Sequence, residues 1–482
     1  MSTSSPSAGT GAGAIATSDP RASEVGAEVL RSGGNAVDAA VASALALLVV
    51  EPHACGVGGD AFALYKRDDA VTPAALDGSG AVPNALADEA DGPDFVPVPL
   101  YGPRTVTVPG AMHLFSELLA REGTRSLGEA VAPAQRLAEE GFAVRPALAA
   151  AAARNRARLE ADPTLRALYL PDGAPVVTGD IVRNPALADA LGQLGERGVH
   201  DLYTGDLAAA VLDASTRAGG YLVAADLAAH TTEPLIPVSG PFAGADIWEL
   251  PEPTQGPAVL ASLQVLEDRG RYDTDAVIDA IVVGMQAAGI DLLAMEPESN
   301  GRGDTTYIAC IDADGFAVSL ITSVFSDFGS GVGVPALGSA LHNRAAGTTL
   351  IGQRPRRGKP PHTTIPGMVT RGGALEHVLG VVGGYMQAQG QVQVLINLLV
   401  HGMSPQDAID APRFRVLPGG VIAAEEGHEL AAAEPATVGR DPGAGAFGGC
   451  QVASRTGSGL DAGSDQRRNG RAILAHRRWY TV

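Results

Sequence analysis

Gly303-Asp304-Thr305-Thr306-Tyr307-Ile308-Ala309-Cys310-Ile311 runs into Asp312-Ala313-Asp314-Gly315 and leaves through Phe316-Ala317-Val318-Ser319-Leu320-Ile321. Two runs rich in β-branched and apolar residues, Thr305 to Ile311 and Phe316 to Ile321, flank four residues with turn chemistry, which predicts a β-hairpin. A second hairpin is expected downstream, where Thr363 to Val369 and Ala374 to Val381 flank Arg371-Gly372-Gly373. The pair Gly383-Gly384 then precedes a long helix from Gln387 to Val400. Upstream, after a mobile N-terminus, Ala22 to Arg31 reads as a helix with Val25, Val29 and Leu30 on one side, stopped by Gly33-Gly34. Asn35 caps the next helix, Asp38 to Val49, and the loop Cys55-Gly56-Val57-Gly58-Gly59-Asp60 leads into a strand from Ala61 to Tyr65. Gly110 to Ala229 is mostly helical in pattern, Phe242 to Leu250 reads as one strand, and Pro253-Thr254-Gln255-Gly256 opens a helix through Leu266. Strands enclosed by helices on both outer faces predict a layered α/β/β/α sandwich without internal repeats.

Composition narrows the function. The 482 residues carry a formal charge of −20, which argues against nucleic acid or an anionic membrane as a partner. Hydrophobic residues make up 45% of the chain, enough for a sizeable core. Cys55, Cys310 and Cys450 form no C-x₂-C pair and no even disulfide set, so a reducing compartment is expected. Met1 to Pro20 has no basic segment before an apolar core, so no secretory signal is read and a cytoplasmic location is expected. The longest apolar stretch, Ala39 to Val50, is too short to span a bilayer. His113, His342, His362 and His401 lack metal-ligand spacing, so no metal site is expected. Cys55 reads as a small buried residue, and Arg302-Gly303-Asp304, although an adhesion-like tripeptide, is discounted without an export signal.

Taken in order, Gly33 to Ala40, Cys55 to Asp60, Gly303 to Tyr307, Phe328-Gly329-Ser330-Gly331, Gly383-Gly384, Gln387 to Leu395 and Gly459 to Gly470 resemble the gamma-glutamyltransferase family of N-terminal-nucleophile hydrolases. The late segments are similar to its cytoplasmic, acylase-like branch. The resemblance implies a four-layer αββα fold and a precursor that cuts itself between Asp304 and Thr305. Residues 1–304 would form a large chain and residues 305–482 a small one, staying together as a heterodimer, with a dimer of these as the further expectation.

A threonine at a new N-terminus carries nucleophile and base on one residue, because an α-amine with a pKa of about 7.7–8.0 can take a proton near neutrality. No cofactor is implied. The resemblance assigns the nucleophile to Thr305, the polarising hydroxyl to Ser323 and the oxyanion donors to the amides of Gly383 and Gly384. Without it, Thr305 would be an ordinary strand residue and the glycine pair an ordinary turn.

The residues that would hold a γ-glutamyl donor depart from the family. Its carboxylate-clamping arginine falls at Ser79, with no cation nearby in sequence, and its ammonium acceptors fall at Arg344 and Gly347. A supporting serine pair falls at His362-Thr363, and an asparagine position is taken by Phe325. The expected donor is therefore a carboxylated acyl group of glutaryl, succinyl or oxalyl type, with its free carboxylate on Arg344 and with water or an amine as acceptor. Arg344 could instead bind a structural carboxylate. Two other readings are an actinomycete-type C–C bond hydrolase of alkylproline antibiotic biosynthesis, and a degenerate binding protein, which the missing donor residues and the unusual end from Leu474 to Val482 favour and the intact Thr305, Ser323 and Gly383-Gly384 oppose.

Overall fold

The computed structural model describes residues 11–295, 303–432, 446–457 and 459–476. Two antiparallel sheets lie face to face. The first has seven strands in the order Arg471–His476, Gly11–Thr17, Gly303–Asp312, Ala317–Ser326, Asp60–Lys66, Ala74–Asp77 and Glu233–Leu235. The second has six, in the order Gly459–Ser464, Gly449–Thr456, Ala374–Val382, Gly367–Arg371, Ala245–Glu249 and Val238–Phe242.

Strand alternation separates the layers. Tyr307, Ala309 and Ile311 point inward and share a core with Met368, Val378 and Val382 of the second sheet. Ile308 and Cys310, from the same strand, point outward into a core with the helix Ala36–Val50. On the far side, Leu379, Val381 and Val452 pack against the helices Gly256–Arg269, Thr274–Ala287 and Met386–Leu399. Helix, sheet, sheet and helix form the expected αββα sandwich.

Local chemistry sets the element ends. Asn35 Oδ1 accepts from the N–H groups of Val37 and Asp38, and Asp38 returns the bond to the Asn35 N–H at 2.9 Å. The helix that follows, Ala36–Val50, is buried on every side. Small residues allow close approach: a Cβ at Gly380 would lie 2.4 Å from the Tyr307 ring, which holds the two sheets together at this point.

Several expectations change. Gly11–Thr17 is an inner strand of the first sheet, between the edge strand and Gly303–Asp312, and is not a mobile terminus; small residues fit there because a Cβ at Gly13 would lie 2.6 Å from Ile311 O. The strand expected over Phe242 to Leu250 runs from Ala245 to Glu249 and is the second arm of a hairpin with Val238–Phe242, turned at Ala243-Gly244, both at positive φ. The second predicted hairpin begins at Gly367 rather than Thr363. Leu474 to His476 lie in an ordinary edge strand paired with Gly11–Thr17, and the residues after them fall outside the described set, as does Arg302. Among the described residues, no helix is long and apolar enough to cross a membrane.

Candidate active site

The hairpin of Gly303–Asp312 and Ala317–Ser326 carries a bulge at its open end. Thr306 pairs with Thr322, but Asp304 pairs with Phe325, so two residues, Ser323 and Val324, stand opposite Thr305. Such a bulge re-aims side chains, and Phe325 absorbs it with a φ of 77°. As a result, Ser323 turns toward the Asp304–Thr305 peptide. Thr305 Oγ1 donates to Ser323 Oγ at 3.1 Å, and Ser323 Oγ donates to the Asp304 carbonyl oxygen at 2.8 Å. The Phe325 N–H also donates to Ser323 Oγ, at 2.8 Å. Thr305 and Ser323 are 2% and 1% exposed.

The Asp304 carboxylate is buried beside this chain. Its Oδ1 accepts the Thr305 N–H at 3.1 Å and pairs with the Arg468 guanidinium, while His53 Nε2 lies 3.5 Å from Oδ2. Burial pushes the Asp304 pKa up, but the Arg468 guanidinium outweighs it and holds the group at about 2.

Gly383 and Gly384 follow the strand Ala374–Val382, with φ values of 122° and 61° that favour glycine. Among the described residues, neither of their N–H groups has a hydrogen-bond acceptor, while their carbonyls accept from Met386 and Gln387. Val382 pairs with Gly449, Gly449 packs on the Arg468 stem, and Arg468 reaches Asp304. The glycine pair and the Asp304–Thr305 bond therefore lie at one end of the sandwich.

A second buried cluster centres on Asp60, which sequence reading treated only as the end of the glycine loop. Asp60 Oδ2 lies 3.0 Å from His342 Nδ1, 3.2 Å from Arg344 Nε and 3.9 Å from His362 Nε2, and Oδ1 accepts the Gly80 N–H at 3.2 Å. Burial raises the Asp60 pKa, but His342 and Arg344 override it, so the group is ionised. Burial and Arg344 hold the His362 pKa well below its usual value, so this ring is neutral. Arg344 does pair with a structural carboxylate, but only through Nε. Both of its η nitrogens are buried without a hydrogen-bond partner among the described residues, and its Cζ lies 4.6 Å above the Phe325 ring. Phe325, read from sequence as a lost polar contact, thus supports the guanidinium.

Ser79 donates to Asp77 Oδ1 at 2.6 Å, and Asp77 Oδ2 takes Lys359 Nζ at 3.2 Å. The cation missing from the neighbouring sequence therefore comes from a distant segment. The amide of His362 donates to Pro253 O at 2.8 Å, and Thr363, beside it, is buried. Cys55 is buried, and burial raises its thiol pKa.

A hydroxyl dyad at a strand start, on the inner hairpin of an αββα sandwich, is the arrangement of the N-terminal-nucleophile hydrolases. The gamma-glutamyltranspeptidase family model matches residues 22–286 and 286–475, and the chain belongs to that family of enzymes. It is 32% identical to the glutathione hydrolase-like YwrD proenzyme of Bacillus subtilis over 82% of this chain and 83% of that protein. It is 30% identical to the oxamate amidohydrolase proenzyme of Klebsiella pneumoniae, again over 82% and 83%. The crystal structure of cephalosporin acylase from Bacillus halodurans superposes with a TM-score of 0.85 at 31% identity, covering 98% of this chain and 97% of that one.

Proposed function

We propose that the chain cuts itself between Asp304 and Thr305, and that the resulting large chain (1–304) and small chain (305–482) form an amide-cleaving acylase. The observation that carries this reading is the hydrogen-bond chain from Thr305 Oγ1 through Ser323 Oγ to the Asp304 carbonyl, because it joins the nucleophile to the bond it must break.

In the mature enzyme, the Thr305 α-amine takes the hydroxyl proton as Oγ1 bonds to the acyl carbon of the donor. The unpartnered amides of Gly383 and Gly384 stabilise the developing oxyanion, a contribution of about 3 kcal/mol per donor in comparable sites. The amine then returns the proton to the leaving nitrogen, the C–N bond breaks, and water or an acceptor amine resolves the ester. The chemistry asks for no cofactor.

The donor carries a free carboxylate that the η nitrogens of Arg344 bind as a fork, while Phe325 backs the guanidinium, His362 shares Asp60 with it, and Ser79 and Thr363 are assigned to the remaining donor contacts. An ammonium there would meet a buried cation, so a plain γ-glutamyl donor fits poorly. The name of the Klebsiella relative supports this choice, since oxamate is an amide that bears a carboxylate.

Intact-mass measurement of freshly purified wild type beside Thr305→Ala tests the first claim. Wild type should appear as two chains split after Asp304 and the variant as one; two uncut proteins would overturn it. Turnover of a glutaryl amide should exceed that of glutathione, and the reverse order would sink the carboxylate reading alone.

A further inference from the structure

The acyl-transfer chemistry of Thr305 uses its amine and hydroxyl, Ser323 and the glycine amides, and leaves the Asp304 side chain without a part. Yet Asp304, 6% exposed, and Arg468, 5% exposed, form a buried ion pair against the one peptide bond that the proposed maturation must break. Two charges are costly to take out of water, and such a pair is weak ground for stability on its own.

The surroundings hold this pair in place. Arg468 closes the turn Gln466–Arg468, which Asp465 caps by accepting the Arg467 N–H at 2.9 Å, and its stem packs against Gly449. Arg467, next in the chain, faces Glu425 and Asp465 instead, so the two adjacent arginines serve different carboxylates. The other acids near Arg468 have partners of their own: Glu51 accepts from Ser18 Oγ at 2.5 Å, and Asp327 pairs with Arg154 at 2.9 Å. Burial lowers the His53 pKa, so this ring faces Asp304 as a neutral group and Arg468 supplies the charge.

We infer that Asp304 and Arg468 form a processing clamp, in which Asp304 Oδ1 holds the N–H of the scissile amide and Arg468 holds Asp304. The inference rests on the self-cleavage proposed above.

In that step Thr305 Oγ1 bonds to the Asp304 carbonyl carbon. Its proton passes to Ser323 Oγ, and the Ser323 proton passes to the carbonyl oxygen, giving a neutral tetrahedral carbon. Collapse restores the carbonyl and breaks the C–N bond, and the hydroxyl proton goes to the nitrogen, which leaves as the Thr305 α-amine. Water then splits the ester, its hydroxyl going to the Asp304 carbon and its proton to Thr305 Oγ1. The nitrogen must lose amide resonance and accept a proton during collapse. A carboxylate hydrogen-bonded to its existing N–H orients the nitrogen lone pair and favours positive charge on it. Asp304 touches the reacting atom; Arg468 is a positioning residue.

The test is a time course of intact mass on the full chain, with melting temperature as the control. Asp304→Asn and Arg468→Met should each slow cleavage at least about tenfold, the factor carried by one charge-assisted hydrogen bond. Arg468→Lys, which keeps the charge, should recover part of the rate. The double variant Asp304→Asn/Arg468→Met buries no unpaired charge; it should melt close to the uncut Thr305→Ala chain and still remain whole. Cleavage at the wild-type rate in either single variant would overturn the clamp, as would a double variant that recovers cleavage along with its melting temperature, since the pair would then be structural only. If either single variant fails to fold, the lysine and double variants decide. An uncut wild type would instead bring down the self-cleavage reading itself.

Discussion

Arg344 is a fully buried cation with one of its three nitrogens committed. Guanidinium and ammonium groups differ here, because only the planar fork can bond Asp60 through Nε and still present two parallel donors. Arg344→Lys keeps a charge for Asp60 but loses the fork. It should lower kcat/KM for a carboxylated acyl amide about 10- to 100-fold, matching the loss of about 1.5–3 kcal/mol for a charged hydrogen bond, and change an uncharged acyl amide by less than about threefold. Steady-state kinetics on the two substrates checks this, and an equal fall on both would mean that Arg344 only supports the fold. Arg344 could be read as a site residue from its position in the His342 to Gly347 segment; that one nitrogen is spent on Asp60 could not, because the two residues are 284 positions apart.

At the scale of elements, the site depends on how closely the two sheets approach. The strand Gly303–Asp312 brings the Tyr307 ring against Gly380 of the strand Ala374–Val382, and the ring cannot swing away freely because its hydroxyl bonds Ser319 Oγ at 2.6 Å. Gly380→Ala places a methyl where the nearest ring carbon lies at 2.4 Å. We expect it to cost about 1–3 kcal/mol of stability, read as a lower urea midpoint in the uncut Thr305→Ala background. It should also slow processing of the otherwise wild-type chain, since the same strand leads into Gly383-Gly384. Both hairpins could be predicted from alternation and turn residues. The bulge at Ser323-Val324 could not, since nothing in Thr322-Ser323-Val324-Phe325 announces an extra residue, and it appears only when the strand is paired.

Across the whole molecule, charge burial at the processing end links stability to pH. Burial, with Asp19 nearby, pushes Glu51 up to about 7 from 4.5. A carboxyl group whose folded pKa is raised favours the fold below its unfolded pKa, and that contribution is lost as pH rises through the folded value. Relative to Glu51→Gln, the chain should therefore lose up to about 3 kcal/mol as pH climbs from about 4.5 to above 7. Urea titrations of both proteins in the Thr305→Ala background would measure the difference; a gap independent of pH would refute it. Asp304, held at about 2, works in the other direction: its contribution is present at neutral pH and fades as pH falls from about 4 toward 2.

Short-range chemistry was enough to define the hairpin around Thr305 and the capped helix after Asn35, the order of elements gave the layered architecture, and the order of motifs gave the family. These features are set by neighbours a few positions away, which a linear reading can compare directly. The same reading took Gly11–Thr17 for a loose end, because strands enclosed by close neighbours need small residues more than apolar ones. Only the tertiary structure chose the partners of the buried charges: Asp60 for Arg344, Lys359 for Asp77 and Arg468 for Asp304, the last pair 164 residues apart. A desolvated charge is stabilised by whichever group the fold brings within a few ångströms, and that choice is made by packing across the sandwich rather than along the chain.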